Sequence, residues 1–409
     1  MKIEIIPIGN EILIGQIADT NSAWMTAELT RQGFEIVAIT TIGDQAENII
    51  KAIDIAFSRA DVVLMTGGVG PTKDDITKKT LCSYFNTELI FDENALQNIN
   101  YLFAHKNYKL NELTKNQAFV PKNCTVIQNK AGTAPILWFE RKSKILVSMP
   151  GVPFEMKTAM ADEIIPRLKR QFQSTDYLKS TFLVSGITES ALATQLEDFE
   201  AQLPDNFSLA YLPSYGLIRL RLSAWGKENL SIMEIQKQRL KEALNEILVA
   251  ESDEPLEALL GKALRSNNLT VSTAESCTGG NIAHRITLVP GASGYYKGSI
   301  ISYDNNVKAS LLNVDKSVIE TYGAVSREVV EQMAHNVSEK LKADCSIAVS
   351  GIAGPDGGTP EKPIGTTWIC TKMQNKIMTQ KYQFGTSREE NINRTTNMAI
   401  LQMIKMLKR

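Results

Sequence analysis

The sequence predicts a multidomain α/β protein: a mostly parallel three-layer α/β domain, a small α+β module, and a second layered α/β domain. Three observations carry this. Apolar runs of strand length alternate with helical patterns over residues 3–85 and again from 256 onward, as in strands joined by crossover helices. Two polar, unpatterned stretches, 171–177 and 251–255, interrupt the pattern, so the expected domains are 1–170, 171–250 and 251–409. A chain of 409 residues is long enough for two or three full cores.

In the first domain, residues 3–8 form the first expected strand, which ends at Gly9-Asn10-Glu11. Asp19, with Thr20 and Asn21, can cap a helix running to Arg31, and Gly33 stops it. Residues 34–42 read as the next strand, closed by Gly43-Asp44, and 46–58 as a helix. The run 61–65 is the third strand. It opens into MTGGVGPTKDDIT, residues 65–77, around which the domain is organised. Gly67, Gly68 and Gly70 let backbone amides approach an anionic ligand closely. Thr72 and Asp75 match a capping box for a helix over 76–85. Asp74 and Asp75 can instead hold a divalent cation against phosphate. Three strand ends thus carry Asn10 and Glu11, Asp44, and the 67–75 loop, and in an open parallel sheet such ends converge on one crevice. The same residues also suit a tight, capped turn with no ligand. Neither a Walker lysine nor a Rossmann glycine pattern is present.

Next, 92–106 reads as a helix, 118–120 and 125–127 as short strands, 136–139 with 144–149 as a hairpin, and 154–170 as a closing helix. The module has expected strands at 181–184, 208–211 and 218–223, helices at 190–199 and 230–248, and no chemical constellation. The last domain opens on a helix with Leu256, Leu259, Leu260 and Leu264 at helical spacing. Strands are expected at 269–274, 298–303, 346–350, 366–371 and 382–384. Helices are expected at 281–288, from 327 behind a Ser326 cap, and at 388–407.

Composition narrows the function. The chain has 44 Lys and Arg against 45 Asp and Glu, a net charge of -1, which argues against a nucleic-acid partner. Residue 1 onward shows no signal-peptide pattern, and no apolar run reaches about 18 residues, so no membrane partner and a cytoplasmic location are expected. The five cysteines are odd in number and form no CxxC pair, which fits a reducing compartment and not a thiolate zinc site. Only three histidines are present, at 105, 284 and 335, so imidazole chemistry is poorly supplied.

Chemistry is better supplied in the last domain. Ser276 sits between a strand and a glycine-assisted helix start, where backbone amides can stabilise an oxyanion. A serine nucleophile needs a base. Lys308 can serve if burial or a neighbouring cation favours its neutral form, and Tyr303 can pass the proton or orient the serine. A Ser–Lys pair suits amide hydrolysis. The plainer readings are a helix cap for Ser276 and a solvated charge for Lys308. Cys277 is a rival nucleophile, since a helix start lowers a thiol pKa, or else a small buried hydrophobe. Ser293, Ser350 and the amides after Gly351 can hold a phosphate or a tetrahedral oxygen. Arg388 and Arg394 lie on the last helix, where one can meet a substrate phosphate, or both pair on the surface.

These residues carry a resemblance. The whole chain resembles the competence-damage inducible protein CinA family. The first domain resembles the molybdopterin-binding fold through IIPIGNEILIG, Asp19-Thr20-Asn21, TGGVGPTKDD, NKAGTAP and MPGVPFEM. The last resembles the nicotinamide-nucleotide amidase domain through TAESCTGG, PGAS, YDNNVK, GAVS and SGIAGPDGG. The middle, through FLVSGITES, resembles the family's KH-type module but lacks the GxxG loop with which KH domains clamp RNA. The resemblance implies deamidation of nicotinamide mononucleotide, with Ser276 as nucleophile, Tyr303 and Lys308 as its activating partners, and no cofactor. Ser293, Ser350, Gly351 and Arg394 are the implied substrate contacts. For the first domain it implies cleavage of ADP-ribose with a divalent metal, and a monovalent cation as a further candidate. Asp44, Asp74 and Asp75 fall on the implied metal positions, and Gly67, Gly68 and Gly70 on the ligand positions. A homodimer is expected. Asn10 stands where the family usually has Asp, and Ile136 where Gly is usual; Asn keeps an oxygen but loses a charge.

Overall fold

The computed structural model describes residues 1–408 except 73–74, 105–109 and 173–174. Asp74 and the end of the expected 92–106 helix therefore lie outside the described residues. Three main sheets give a three-domain α/β architecture. By contact density the chain forms two compact units, Met1–Leu178 with Ala224–Met233, and Lys179–Ser223 with Glu234–Arg409.

The first unit holds β1 (Lys2–Pro7), β2 (Glu35–Ile39), β3 (Val62–Thr66), β4 (Leu89–Phe91), β5 (Phe119–Pro121), β6 (Thr125–Ile127), β7 (Ile136–Arg141) and β8 (Lys144–Met149). Six of them make one sheet in the order β2-β1-β3-β8-β7-β6. The first four of that order pair in parallel, and β7 and β6 add antiparallel at one edge. The central strand β3 is buried along its whole length and apolar up to Thr66, as expected of a strand covered on both faces. Alternate residues feed two cores. Ile3, Ile5 and Leu64 meet Met25 and Leu29 on one face, while Ile6, Val63 and Met65 meet Ile49, Ile53 and Leu81 on the other. The helices Thr20–Arg31, Ala46–Arg59 and Thr77–Phe85 supply those partners, and Asp19 caps the first by accepting from Ser22 N at 2.9 Å.

Two expectations here change. The helix after the glycine loop starts at Thr77, not at a Thr72 cap. The Asp75 main-chain N–H donates to the Thr72 carbonyl at 3.2 Å, ahead of the helix. The closing helix contains a π-helical stretch, Met160–Ile164, just before Pro166, which lacks the amide to continue the regular ladder.

The module carries β9 (Tyr177–Ser185), β10 (Phe207–Ser214), β11 (Leu217–Trp225) and β12 (Leu248–Glu251), ordered β10-β11-β9-β12. The expected 230–248 helix ends at Leu244, and the chain from Leu248 is extended, because β9 offers it an antiparallel edge. The last sheet holds β13 (Val271–Glu275), β14 (Tyr296–Ile301), β15 (Cys345–Gly351), β16 (Thr366–Met373) and β17 (Lys376–Gln383), ordered β14-β13-β15-β16-β17. β13 lies between two parallel neighbours and is buried throughout. One face packs Val271, Ile347 and Ile369 on the helices Leu256–Ser266 and Arg388–Leu407, in a core that Leu183, Leu217 and Val249 of the module share. The other face packs Ala274 and Ala348 on the helix Arg327–Leu341. Among the described residues no helix is long and apolar enough to cross a membrane.

Candidate functional site

Ser276 leaves the C-terminal end of the interior strand β13, the place where open parallel sheets present ligand groups. Its main-chain N–H still donates to the Val349 carbonyl at 3.2 Å, so its position is fixed by the sheet. Gly279 and Gly280, with φ of 59° and 100°, then turn the chain into the helix Asn281–Thr287. Lys308 arrives from a helix the sequence reading did not include, Asn305–Leu312, which Asp304 caps by accepting from Asn306 N at 2.7 Å.

The two side chains meet. Lys308 Nζ lies 3.2 Å from Ser276 Oγ, 2.8 Å from the Ser302 carbonyl and 3.2 Å from the Tyr303 carbonyl. Lys308 is 1% exposed. Burial lowers its pKa, against smaller opposing pulls from Cys277 and Asp304. A charged ammonium can donate to all three oxygens. A neutral amine keeps two N–H groups for the two carbonyls and turns its lone pair to the serine hydroxyl. In that neutral state the amine lone pair is in reach of the Ser276 hydroxyl proton.

The remaining predicted residues distribute unevenly. Tyr303 touches Lys308 with its main-chain carbonyl, while its hydroxyl accepts from Arg388 Nη2 at 3.0 Å. Arg388 also donates to the Gly354 carbonyl at 2.7 Å. Arg394 instead lines a cavity of about 620 Å³ with Tyr215 and Glu390. Ser350 Oγ is buried and donates to the Ala324 carbonyl at 2.7 Å. Gly351 is wedged behind the serine turn, where an added Cβ would fall 2.5 Å from Thr367 Oγ1 and 3.1 Å from Cys277 Sγ. Ser293 sits exposed on the turn Ala292–Gly294 and lines another cavity, with Tyr296 and Lys297. Cys277 is buried, and burial pushes its thiol up to about 12, so the reactive thiolate is disfavoured.

The helix-start amides expected to face an oxyanion are occupied. The N–H groups of Gly280, Ile282 and Ala283 donate to the side chain of Glu275. Spacing alone gave no sign of this, since an acid at the end of a strand reads equally well as facing a ligand.

In the first unit the strand ends do converge. A cavity of about 440 Å³ is lined by Glu11, Asp19, Asp44, Asp75 and the Gly67–Gly70 loop. Gly67 and Gly68 have φ of 110° and 63°, and added Cβ atoms would lie 2.2 Å from the Ile8 carbonyl and 2.3 Å from Thr77 Oγ1. The expected metal requires correction. Among the described residues no group of three or more His, Cys, Asp or Glu side chains is placed to hold a metal ion. The acids are committed elsewhere: Asp75 Oδ2 accepts from Thr72 N at 2.9 Å and Thr72 Oγ1 at 2.5 Å, and Asp44 accepts from Asn10 N at 3.4 Å. Asn10 itself brings an amide where a carboxylate would be needed. The expectation of a divalent or monovalent cation on Asp44 and Asp75 is overturned, and Asp74 lies outside the described residues.

Fold and site together define a three-domain α/β protein with a buried Ser–Lys pair. Residues 4–170 match the family model of a probable molybdopterin binding domain, 179–250 that of the damage-inducible protein CinA KH domain, and 253–407 that of the CinA C-terminal domain. A CinA-like protein of Cytophaga hutchinsonii is 44% identical over 98% of this chain and 97% of its own length. A CinA-like protein of Flavobacterium psychrophilum is 42% identical over 99% of this chain and 98% of its own. The crystal structure of the competence/damage inducible protein CihA from Agrobacterium tumefaciens covers 39% of this chain and 99% of its own, at 36% identity and a TM-score of 0.36. The chain belongs to the CinA family, and that membership supports a general amidohydrolase-type function.

Proposed function

We propose that this protein hydrolyses the carboxamide of nicotinamide mononucleotide, giving nicotinic acid mononucleotide and ammonia. The observation that carries the reading is the buried Lys308 amine 3.2 Å from Ser276 Oγ, with two carbonyls fixing its other N–H directions. The likeness of the last domain to nicotinamide-nucleotide amidases supports the substrate. Ser276 Oγ attacks the carboxamide carbon while its proton passes to Lys308 Nζ. Collapse of the tetrahedral species breaks the C–N bond, and Lys308 returns the proton to the leaving nitrogen, which departs as ammonia. Water then attacks the ester as Lys308 takes its proton; the acyl C–Oγ bond breaks, Lys308 passes that proton to Ser276 Oγ, and the serine and the product acid are freed. Positioned proton transfer of this kind contributes roughly 10²–10⁴-fold. Arg388, tied to Tyr303, is the nearer of the two arginines for the anionic phosphate. Ammonia release and product mass from purified protein, beside Ser276→Ala, test the reading. Undiminished turnover in the variant would sink it.

A second reading concerns the first unit: its cavity binds an anionic nucleotide, of the ADP-ribose class, or a pterin, through main-chain amides. The two positive-φ glycines whose Cβ positions are already filled favour it. Calorimetric titration of ADP-ribose in the presence of a chelator tests it, and absence of heat would reject that ligand.

A further inference from the structure

We propose that Glu275 is the positioning residue of the Ser276–Lys308 pair: its carboxylate takes over the capping of the following helix and leaves the serine hydroxyl to the lysine. The proposal rests on the amidase reading for its substrate, and on geometry for the rest.

Glu275 is completely buried. Its Oε2 accepts from Thr278 Oγ1 at 2.7 Å, Gly280 N at 3.1 Å and Ile282 N at 3.0 Å. Its Oε1 accepts from Ala283 N at 2.8 Å, Thr273 Oγ1 at 3.3 Å and Ser299 Oγ at 3.5 Å. A buried charge is tolerated when hydrogen bonds replace its water, and here every one of these partners is a neutral donor. The helix Asn281–Thr287 has glycine at its N-cap and no side-chain cap of the usual kind, so its free amides need an acceptor from elsewhere. A serine at such a junction is itself a capping residue. The N-cap of this helix is Gly280, four residues past Ser276, and Glu275 supplies the acceptors for the amides of Gly280, Ile282 and Ala283. With Glu275 on the amides, Ser276 Oγ is left for Lys308.

The same residue also places the lysine. The Glu275 main-chain carbonyl accepts from Ser302 N at 2.7 Å, and the Ser302 carbonyl accepts from Lys308 Nζ at 2.8 Å. Side chain and main chain of one residue thus hold both halves of the pair. Gln at this position has the same size but turns an NH₂ toward N–H donors, leaving at least one buried amide without an acceptor. Asp keeps the charge but falls one methylene short.

The test compares wild type, Ser276→Ala, Glu275→Gln and Glu275→Asp in two assays. One is steady-state ammonia release from nicotinamide mononucleotide. The other needs no substrate: the rate at which phenylmethanesulfonyl fluoride labels Ser276, read by intact mass and peptide mapping. For Glu275→Gln, kcat falls at least about 100-fold with KM within about threefold, and labelling slows at least about tenfold, with Glu275→Asp between it and wild type. Rates for Glu275→Gln within about threefold of wild type in both assays would overturn the proposal. If wild type releases no ammonia, the amidase reading fails and labelling alone decides Glu275: slower labelling in Glu275→Gln upholds it, while equal labelling, or none in wild type, overturns it. If Glu275→Gln does not fold, Thr278→Val takes its place, since it removes the 2.7 Å donor and keeps the charge; labelling unchanged in that variant overturns the proposal.

Discussion

Lys308 Nζ stands 3.2 Å from Ser276 Oγ, although 32 residues separate them and they come from different elements. Two main-chain carbonyls fix the amine from the other side. Burial lowers the pKa of that amine.

The first prediction is a pH profile. Burial lowers the Lys308 pKa from its ordinary 10.5. On the proposed mechanism the neutral amine is the base, so kcat/KM rises with pH by about tenfold per unit below the lowered pKa and levels off before 10.5. Lys308→Arg stays charged throughout and loses the limb along with at least about 100-fold in kcat. The stability effect has the same sign. Below the lowered pKa the folded state bears a desolvated charge, and as pH rises through that pKa it sheds the proton before the unfolded chain does. Stability therefore increases with pH between the lowered pKa and 10.5. Rate profiles and melting curves across that range check both statements.

Cys277 neighbours Ser276, the proposed nucleophile, without replacing it. With its thiol pushed up to about 12, it stays protonated at neutral pH. Cys277→Ala therefore retains turnover within several-fold of wild type, at a stability cost of about 1 kcal/mol for the lost buried sulfur. Iodoacetamide leaves Cys277 unmodified in the native protein. Fast alkylation at that residue, with loss of activity, would count against this assignment.

Gly351 is a packing position. Gly351→Ala drives a methyl into Thr367 Oγ1, the Thr366 carbonyl and Cys277 Sγ. Overpacking of this kind costs about 1–3 kcal/mol, and here it presses on the serine turn. Denaturant melts are expected to show the loss and steady-state kinetics a matching fall in kcat. A Gly351→Ala protein as stable as wild type would mean the turn yields freely.

The two arginines of the last helix separate in their effects. Arg388 holds Tyr303 and Gly354, whereas Arg394 faces the cavity with Tyr215 and Glu390. Arg388→Gln raises KM for nicotinamide mononucleotide at least about tenfold, and Arg394→Gln leaves it within about twofold. The reverse ranking in KM would show that the phosphate sits elsewhere.

Much of the architecture was legible because alternating strands and helices leave a strong periodic trace, as in the apolar run 62–65 of β3 and the capped helix Thr20–Arg31. The site was legible in part. Ser276 stood out at a strand–glycine–helix junction, but the helix Asn305–Leu312 did not, because Asp304-Asn305-Asn306 reads as a loop when it is in fact a cap. Arg388 and Arg394 could not be told apart by composition; six residues turn a helix by about 240°, so they point to different neighbours. Carboxylates at strand ends were placed in one crevice correctly, yet their spacing does not say what each accepts, and Asp75 is bound to Thr72 and not free for a metal. The strand β12 was hidden for a similar reason: Leu248 and Val249 continue a helical pattern, and only the antiparallel partner β9 decides their conformation.

The most direct test of the central claim is mass spectrometry of wild-type protein acid-quenched during turnover of nicotinamide mononucleotide, with peptide mapping. The account predicts a nicotinoyl ester of the nucleotide on Ser276, absent from Ser276→Ala and accumulating more slowly in Lys308→Arg. An adduct on Cys277, or turnover that persists in Ser276→Ala with no adduct on any residue, would contradict it.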